Sequence, residues 1–103
     1  MQSAAECNAD IQNNIDSNKV MVYSKSYCPH CGYTKDLLQS KGVAFKVIEL
    51  DNLANGDQVQ NALRIKTGQT TVPNIFINQQ HVGGNSDLQA LNQSGELDQR
   101  LAQ

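Results

Sequence analysis

Short apolar runs, each followed by a helically spaced segment, constrain this chain more than any other feature. Val20–Tyr23 and Val47–Leu50 are only a few residues long, far below the ~18 needed to cross a membrane. Before the first run, Ile11 and Ile15 lie four apart within Ala4–Ser17, which predicts a helix with a narrow apolar stripe. Lys19–Ser24 then reads as a buried strand. The next segment runs from Pro29 to about Lys41, with Leu37 and Leu38 on its inner side and Gly42 just beyond. Proline in the first turn and glycine past the last predict a helix between those limits.

Val43–Leu50 is rich in β-branched and aromatic residues and predicts a second strand. Asn55-Gly56-Asp57 breaks the chain, and Val59, Ala62, Leu63 and Lys66 keep helical spacing up to a stop at Gly68. Pro73–Asn78 is the third expected strand. A tight connection at Asn78-Gln79-Gln80 leads to a brief fourth strand at His81-Val82, closed by Gly83-Gly84. Asn85 or Ser86 is expected to cap a last helix carrying Leu88 and Leu91, with Leu97 and Leu101 in a helical tail.

The order α-β-α-β-α-β-β-α implies a right-handed crossover between a parallel strand pair. The last two strands, joined by so few residues, must form an antiparallel hairpin. The expected fold is therefore of the α/β class, a four-stranded mixed sheet flanked by helices. One domain over residues 1–103 is expected, because a chain of 103 residues has surface enough for one core.

Composition narrows the function classes. The net charge is −2 and the 8 Lys and Arg are scattered, which leaves no electrostatic footprint for nucleic acid or an anionic membrane. The 12 Gln and 11 Asn are dispersed and supply a neutral polar surface. Met1–Lys19 is mostly polar and lacks an apolar core of a leader, so no secretory signal is expected. The cysteines are Cys7, Cys28 and Cys31. So sparse and odd a set suggests a reducing compartment, and a cytoplasmic location is expected.

Cys28-Pro29-His30-Cys31 follows a strand and opens a helix. Unpaired N–H groups and the positive end of the helix dipole favour an anion there. A Cys28 thiolate would gain that stabilisation, and Lys25 can fold back toward the same sulfur. The thiolate is the form that attacks disulfides. Cys31, one turn on and further from the helix end, is expected to be the resolving thiol. Half of a zinc site is the other reading of this motif. It would need two more ligands, and only Cys7, His30 and His81 remain, without a second C-x-x-C or an H-x₃₋₅-H. No metal is expected. Cys7 lies outside every motif and reads as a small buried hydrophobe, and His81 as a surface residue on an edge strand.

With these residues in view, the chain resembles the dithiol glutaredoxins of the thioredoxin-like superfamily. The resemblance runs from about Lys19 to Leu101. It is carried by Ser24-Lys-Ser-Tyr-Cys-Pro-His-Cys31, Gly68-Gln-Thr-Thr-Val-Pro73 and Gly83-Gly-Asn-Ser-Asp-Leu88. It implies a thioredoxin-like fold and reversible thiol–disulfide exchange with glutathione as co-substrate. Thr71-Val72-Pro73 resembles the family's cis-proline turn, which would expose the backbone of Val72 to an extended peptide. By the same resemblance, Gly84, Asn85, Ser86 and Asp87 hold the γ-glutamyl end of glutathione, with Asp87 on its α-ammonium. Lys25 and Gln69 take the glycyl carboxylate, and Pro29 and His30 lie beside the bound tripeptide.

Two positions depart from the usual pattern. His30 stands where Tyr or Phe is more common and is read as a solvent-facing ring that packs on glutathione. Thr70 replaces a basic residue, which weakens the attraction of the groove for anions. The resemblance also implies glutathionylated or disulfide-containing protein substrates, coupling to glutathione reductase and NADPH, and a monomer. Two other classes stay in view: a glutathione-ligated [2Fe–2S] carrier, which Pro29 disfavours by stiffening the loop, and a thioredoxin-type reductant. The absence of Trp before Cys28 and the Gly83–Asp87 motif speak against the latter.

Overall fold

The structure, a computed structural model, describes residues 3–103; Met1 and Gln2 of the expected domain lie outside the described residues. Its elements are α1 (Ala4–Ser17), β1 (Val20–Ser24), α2 (Pro29–Ser40), β2 (Lys46–Glu49), α3 (Gly56–Thr67), β3 (Asn74–Ile77), β4 (Gln80–Gly83), α4 (Asn85–Ser94) and α5 (Glu96–Leu101). A short 3₁₀ turn, Leu50–Asn52, follows β2. The strands form one mixed sheet in the order β2-β1-β3-β4. β1 runs parallel to β2 and antiparallel to β3, and β3 and β4 make the expected hairpin.

β1 is buried at every position. It is a continuous apolar run because both its faces are covered. Side chains alternate across a strand, so Met21 and Tyr23 join Ile11, Ile15, Val59 and Leu63 in a core beneath α1 and α3. Val20 and Val22 face the opposite way, into a second core with Leu38, Leu88 and Leu97 from α2, α4 and α5. Cys7 is a buried thiol within the first core, as its sequence context predicts.

β1 and β3 are each trimmed by a residue at one or both ends, and the structure differs further from the sequence reading at three element boundaries. β2 begins at Lys46, not Val43, and stops before Leu50. Its register pairs Met21 with Lys46 and Ser24 with Glu49. Extended backward, that register would set Val43 and Ala44 against Asn18 and Lys19, where the chain is still turning out of α1. Val43 and Ala44 therefore have no strand residue opposite them.

β4 is longer than expected, and Phe76 pairs with His81 while Ile75 pairs with Gly83. Val82 is thus an extra residue on this edge strand, a bulge that turns Gly83 and Gly84 toward the next helix. The hairpin turn holds Asn78 and Gln79 at φ 50° and 70°, the paired left-handed conformation that suits a two-residue connection.

The third difference concerns the start of α4. Neither Asn85 nor Ser86 is the cap. Gly84 occupies that position, and the Asp87 carboxylate reaches back to accept its N–H at 2.9 Å. An acid at the third helical position satisfies the free donor and complements the helix dipole.

Candidate active site

The redox motif hangs from the end of β1. The Cys28 N–H donates to the Lys25 carbonyl at 3.1 Å, closing a tight turn over Lys25–Cys28. Cys28 then caps α2 with its own side chain: the Cys31 N–H donates to Cys28 Sγ at 3.3 Å. Pro29, the first residue of α2, has no N–H to leave unsatisfied. The sulfur of Cys28 therefore lies on a backbone donor at a helix N-terminus, the position that favours negative charge on it.

The two thiols are unequal. Cys28 is partly exposed, whereas Cys31 is fully buried. Burial pushes the Cys31 thiol above the ordinary value, its hydrogen bond with Cys28 raises it further, and the Ser24 hydroxyl acts in the opposite direction. Burial thus favours the thiol form of Cys31.

The Cys28 thiol also donates to the Val72 carbonyl at 3.8 Å. The Val72–Pro73 peptide is cis, as the resemblance implies. Beside it lies a shallow groove of about 370 Å³ lined by His30, Thr71, Val72, Pro73, Gly84, Asn85 and Ser86. A recess of about 440 Å³ beside Asp10 and Tyr23 is larger, but only the groove contains the motif residues around Cys28. Most of the expected binding residues therefore meet on one surface.

The remainder support that surface from behind or beside it. Gln69 donates its amide to the carbonyls of Thr71 and Pro73 at 2.9 and 2.8 Å, bracing the cis turn. Asp87 caps Gly84, and Lys25 enters through its backbone in the turn before Cys28. His30, expected to face solvent, is exposed and makes an edge contact with the Tyr33 ring, their centroids 6.2 Å apart.

Other contributors escaped the sequence reading. The Thr34 hydroxyl, fully buried, donates to Asn85 Oδ1 at 2.9 Å and ties α2 to the start of α4. It lies on the apolar face of its helix three residues after Cys31, and a polar residue inside such a stripe was the available signal. His81 is more than a surface residue. Its Nε2 lies 2.9 Å from Asn74 Oδ1 and 3.2 Å from Gln69 Oε1, so the edge strand braces Gln69. Burial lowers the His81 pKa, and the Asp87 charge opposes that shift.

Thr34 gives a direct test of this frame. Thr34→Val keeps the side-chain shape and leaves Asn85 Oδ1 with only the longer 3.3 Å bond from Gln89. Its unfolding free energy in urea is expected to fall by about 1–2 kcal/mol.

Comparison with known proteins agrees with this geometry. The glutaredoxin family profile matches residues 20–82. The chain belongs to the glutaredoxin family. It is a thiol–disulfide oxidoreductase with the thioredoxin-like fold. Glutaredoxin-C6 of Oryza sativa subsp. japonica is 49% identical over 89 residues, covering 86% of this chain and 80% of that protein. Glutaredoxin-2 of Schizosaccharomyces pombe is 43% identical over 95 residues, covering 92% and 86% respectively. Among solved structures, a buckwheat glutaredoxin–glutathione complex superposes with a TM-score of 0.94 at 36% identity, over 96% of this chain and 90% of that one. The Cys28/Cys31 pair makes this glutaredoxin a dithiol type, and among the described residues no group of three or more His, Cys, Asp or Glu is placed to hold a metal ion.

Proposed function

We propose that this chain reduces glutathione mixed disulfides and protein disulfides, using Cys28 as the attacking sulfur. The observation that carries the reading is the partly exposed Cys28 sulfur, held on the Cys31 N–H beside the groove of the cis turn. The buckwheat relative in complex with glutathione supports the same ligand here.

In the monothiol reaction, the Cys28 thiolate attacks the glutathione sulfur of a protein mixed disulfide. The protein leaves as a thiolate and takes a proton, and Cys28 keeps glutathione in disulfide linkage. A second glutathione thiolate attacks the bound glutathione sulfur, releasing Cys28 and oxidised glutathione. Glutathione reductase and NADPH would regenerate the pool. For a protein disulfide, Cys31 attacks Cys28 within the mixed disulfide and expels the protein thiol, leaving a Cys28–Cys31 disulfide for two glutathiones to reduce.

The groove suits a tripeptide bound along its main chain. The Val72 backbone is presented for pairing with an extended peptide, while the α4 start and Asp87 offer polar groups to the γ-glutamyl end. At the glycyl end, Lys25 supplies charge, and Gln69, its amide hydrogens engaged by the Thr71 and Pro73 carbonyls, braces the turn beside it. Pro29 and His30 form the rim nearest the sulfur.

Cys31→Ser separates the two routes. Turnover of a small glutathione mixed disulfide is expected to persist, while reduction of a protein disulfide falls by about tenfold or more. Equal loss of both activities would remove the resolving role from Cys31.

A further inference from the structure

Ser26 and Asp51 belong to different segments, and nothing in the sequence links them. The parallel ladder does. β1 and β2 are in register from Met21 with Lys46 to Ser24 with Glu49. Continued two residues past both strand ends, the same register sets Ser26 opposite Asp51. The backbone ladder has ended there, and a side chain takes over. The Ser26 N–H donates to Asp51 Oδ1 at 3.0 Å and the Ser26 hydroxyl donates to Oδ2.

Ser26 is a central residue of the turn that the Cys28 N–H closes on Lys25. A carboxylate gripping the corner of that turn by two hydrogen bonds leaves it little freedom to rock. The next residue but one carries the sulfur whose partner is the Cys31 N–H, at 3.3 Å. Hydrogen bonds weaken steeply as their geometry opens, so a small rotation of the turn moves Cys28 Sγ off its donor. The Ser26 hydroxyl and N–H hold the Asp51 carboxyl below the usual range, with the Lys25 charge adding to them. Asp51 is therefore ionised when the enzyme works.

We propose that Asp51 is a positioning residue of the redox site: its carboxylate fixes the Lys25–Cys28 turn and so aims the Cys28 sulfur at the Cys31 N–H. The proposal rests on Cys28 being the reacting thiol, which a Cys28 variant tests separately. Asp51 touches neither substrate nor sulfur and acts through Ser26. It also carries a negative charge that on its own opposes a nearby thiolate, so its removal has two effects of opposite sign. A comparison at matched charge separates them.

Asp51→Asn removes the charge but keeps an oxygen for the Ser26 N–H. Asp51→Leu removes both charge and acceptor at similar size, at an exposed position. Alkylation of Cys28 by iodoacetamide, followed by peptide mass spectrometry across a pH series, reads thiolate formation without any glutathione. D51L is expected to alkylate about fivefold more slowly than D51N at mildly acidic pH, with its pH profile displaced to the alkaline side. Superimposed profiles, or a faster D51L, overturn the proposal, and equal melting temperatures would exclude a general loss of structure as the cause. Should D51L fail to fold, Ser26→Ala decides: it keeps the charge of Asp51 and loses the hydroxyl bond. S26A alkylating more slowly than the natural protein supports the proposal, and an unchanged rate overturns it.

Discussion

Cys28→Ser is expected to abolish reduction of glutathione mixed disulfides, with turnover falling by about a thousandfold or more. The reason is chemical. A serine hydroxyl at the same helix end is not ionised near neutral pH, and a neutral hydroxyl is a poor nucleophile toward disulfide sulfur. The substitution keeps the turn on Lys25 and the cap on the Cys31 N–H, because an oxygen also accepts a hydrogen bond. Stability should therefore change little while chemistry stops. NADPH oxidation coupled through glutathione reductase measures the loss. Incubation with oxidised glutathione gives an independent readout: the natural protein should gain a glutathione-mass adduct on Cys28, and C28S should gain none there. Full activity in C28S would sink the assignment of the nucleophile.

Gly83→Ala is expected to be the most damaging change at the groove. Gly83 has φ 121°, a backbone conformation that side-chain-bearing residues rarely adopt. A Cβ built there would lie 2.3 Å from Asp87 Oδ2 and 2.9 Å from Asp87 Cγ. Those atoms belong to the carboxylate that caps Gly84 at the start of α4. Alanine thus strains the bulged edge strand and pushes the cap away. Loss of the cap and the backbone strain together should cost about 2–4 kcal/mol of unfolding free energy.

Because Asp87 is also the proposed partner of the glutathione α-ammonium, KM for a glutathionylated substrate should rise by about tenfold with a smaller change in kcat. Gly84→Ala is the control. A Cβ there would meet only the Pro73 carbonyl at 3.7 Å and the Gln69 amide at 4.0 Å, so its stability should stay within about 1 kcal/mol of the natural protein. Indistinguishable unfolding curves for the two variants would refute the clash.

Much of the fold was legible because its signals are local. Pro29 at the head of α2, and Gly68 in the left-handed conformation at the end of α3, mark helix limits by their own backbone preferences. The buried run of β1 is long enough to be read directly. The length of β2 was not, since it depends on where β1 begins to offer partners, a fact recorded elsewhere in the chain. The start of α4 shows a competition between neighbours. Asn85 and Ser86 are good caps by type, yet Asp87 wins because Gly83 leaves room for its carboxylate to fold back.

At the site, the residues carried in motifs were placed together around the groove, while the residues supporting them were missed. Thr34, Asp51 and His81 act at a distance in sequence, through a buried hydroxyl, a ladder register and an edge strand. None of these juxtapositions leaves a mark on spacing. The two exceptions to the family pattern, His30 and Thr70, are both exposed, outside the two cores that fix the fold.

The central strand has a consequence for how the enzyme fails. β1 is bonded along both edges and covered on both faces, so it is among the last segments to open when the molecule fluctuates. The sulfur pair is slung from its end. The opposite wall of the groove comes from Gly84 and the first turn of α4, which follow β4, an outer strand with a bulge. Under thermal stress the rim can loosen while the thiols keep their station. Such a molecule would still exchange electrons but would lose its choice of partner, so fidelity has a lower ceiling than reactivity.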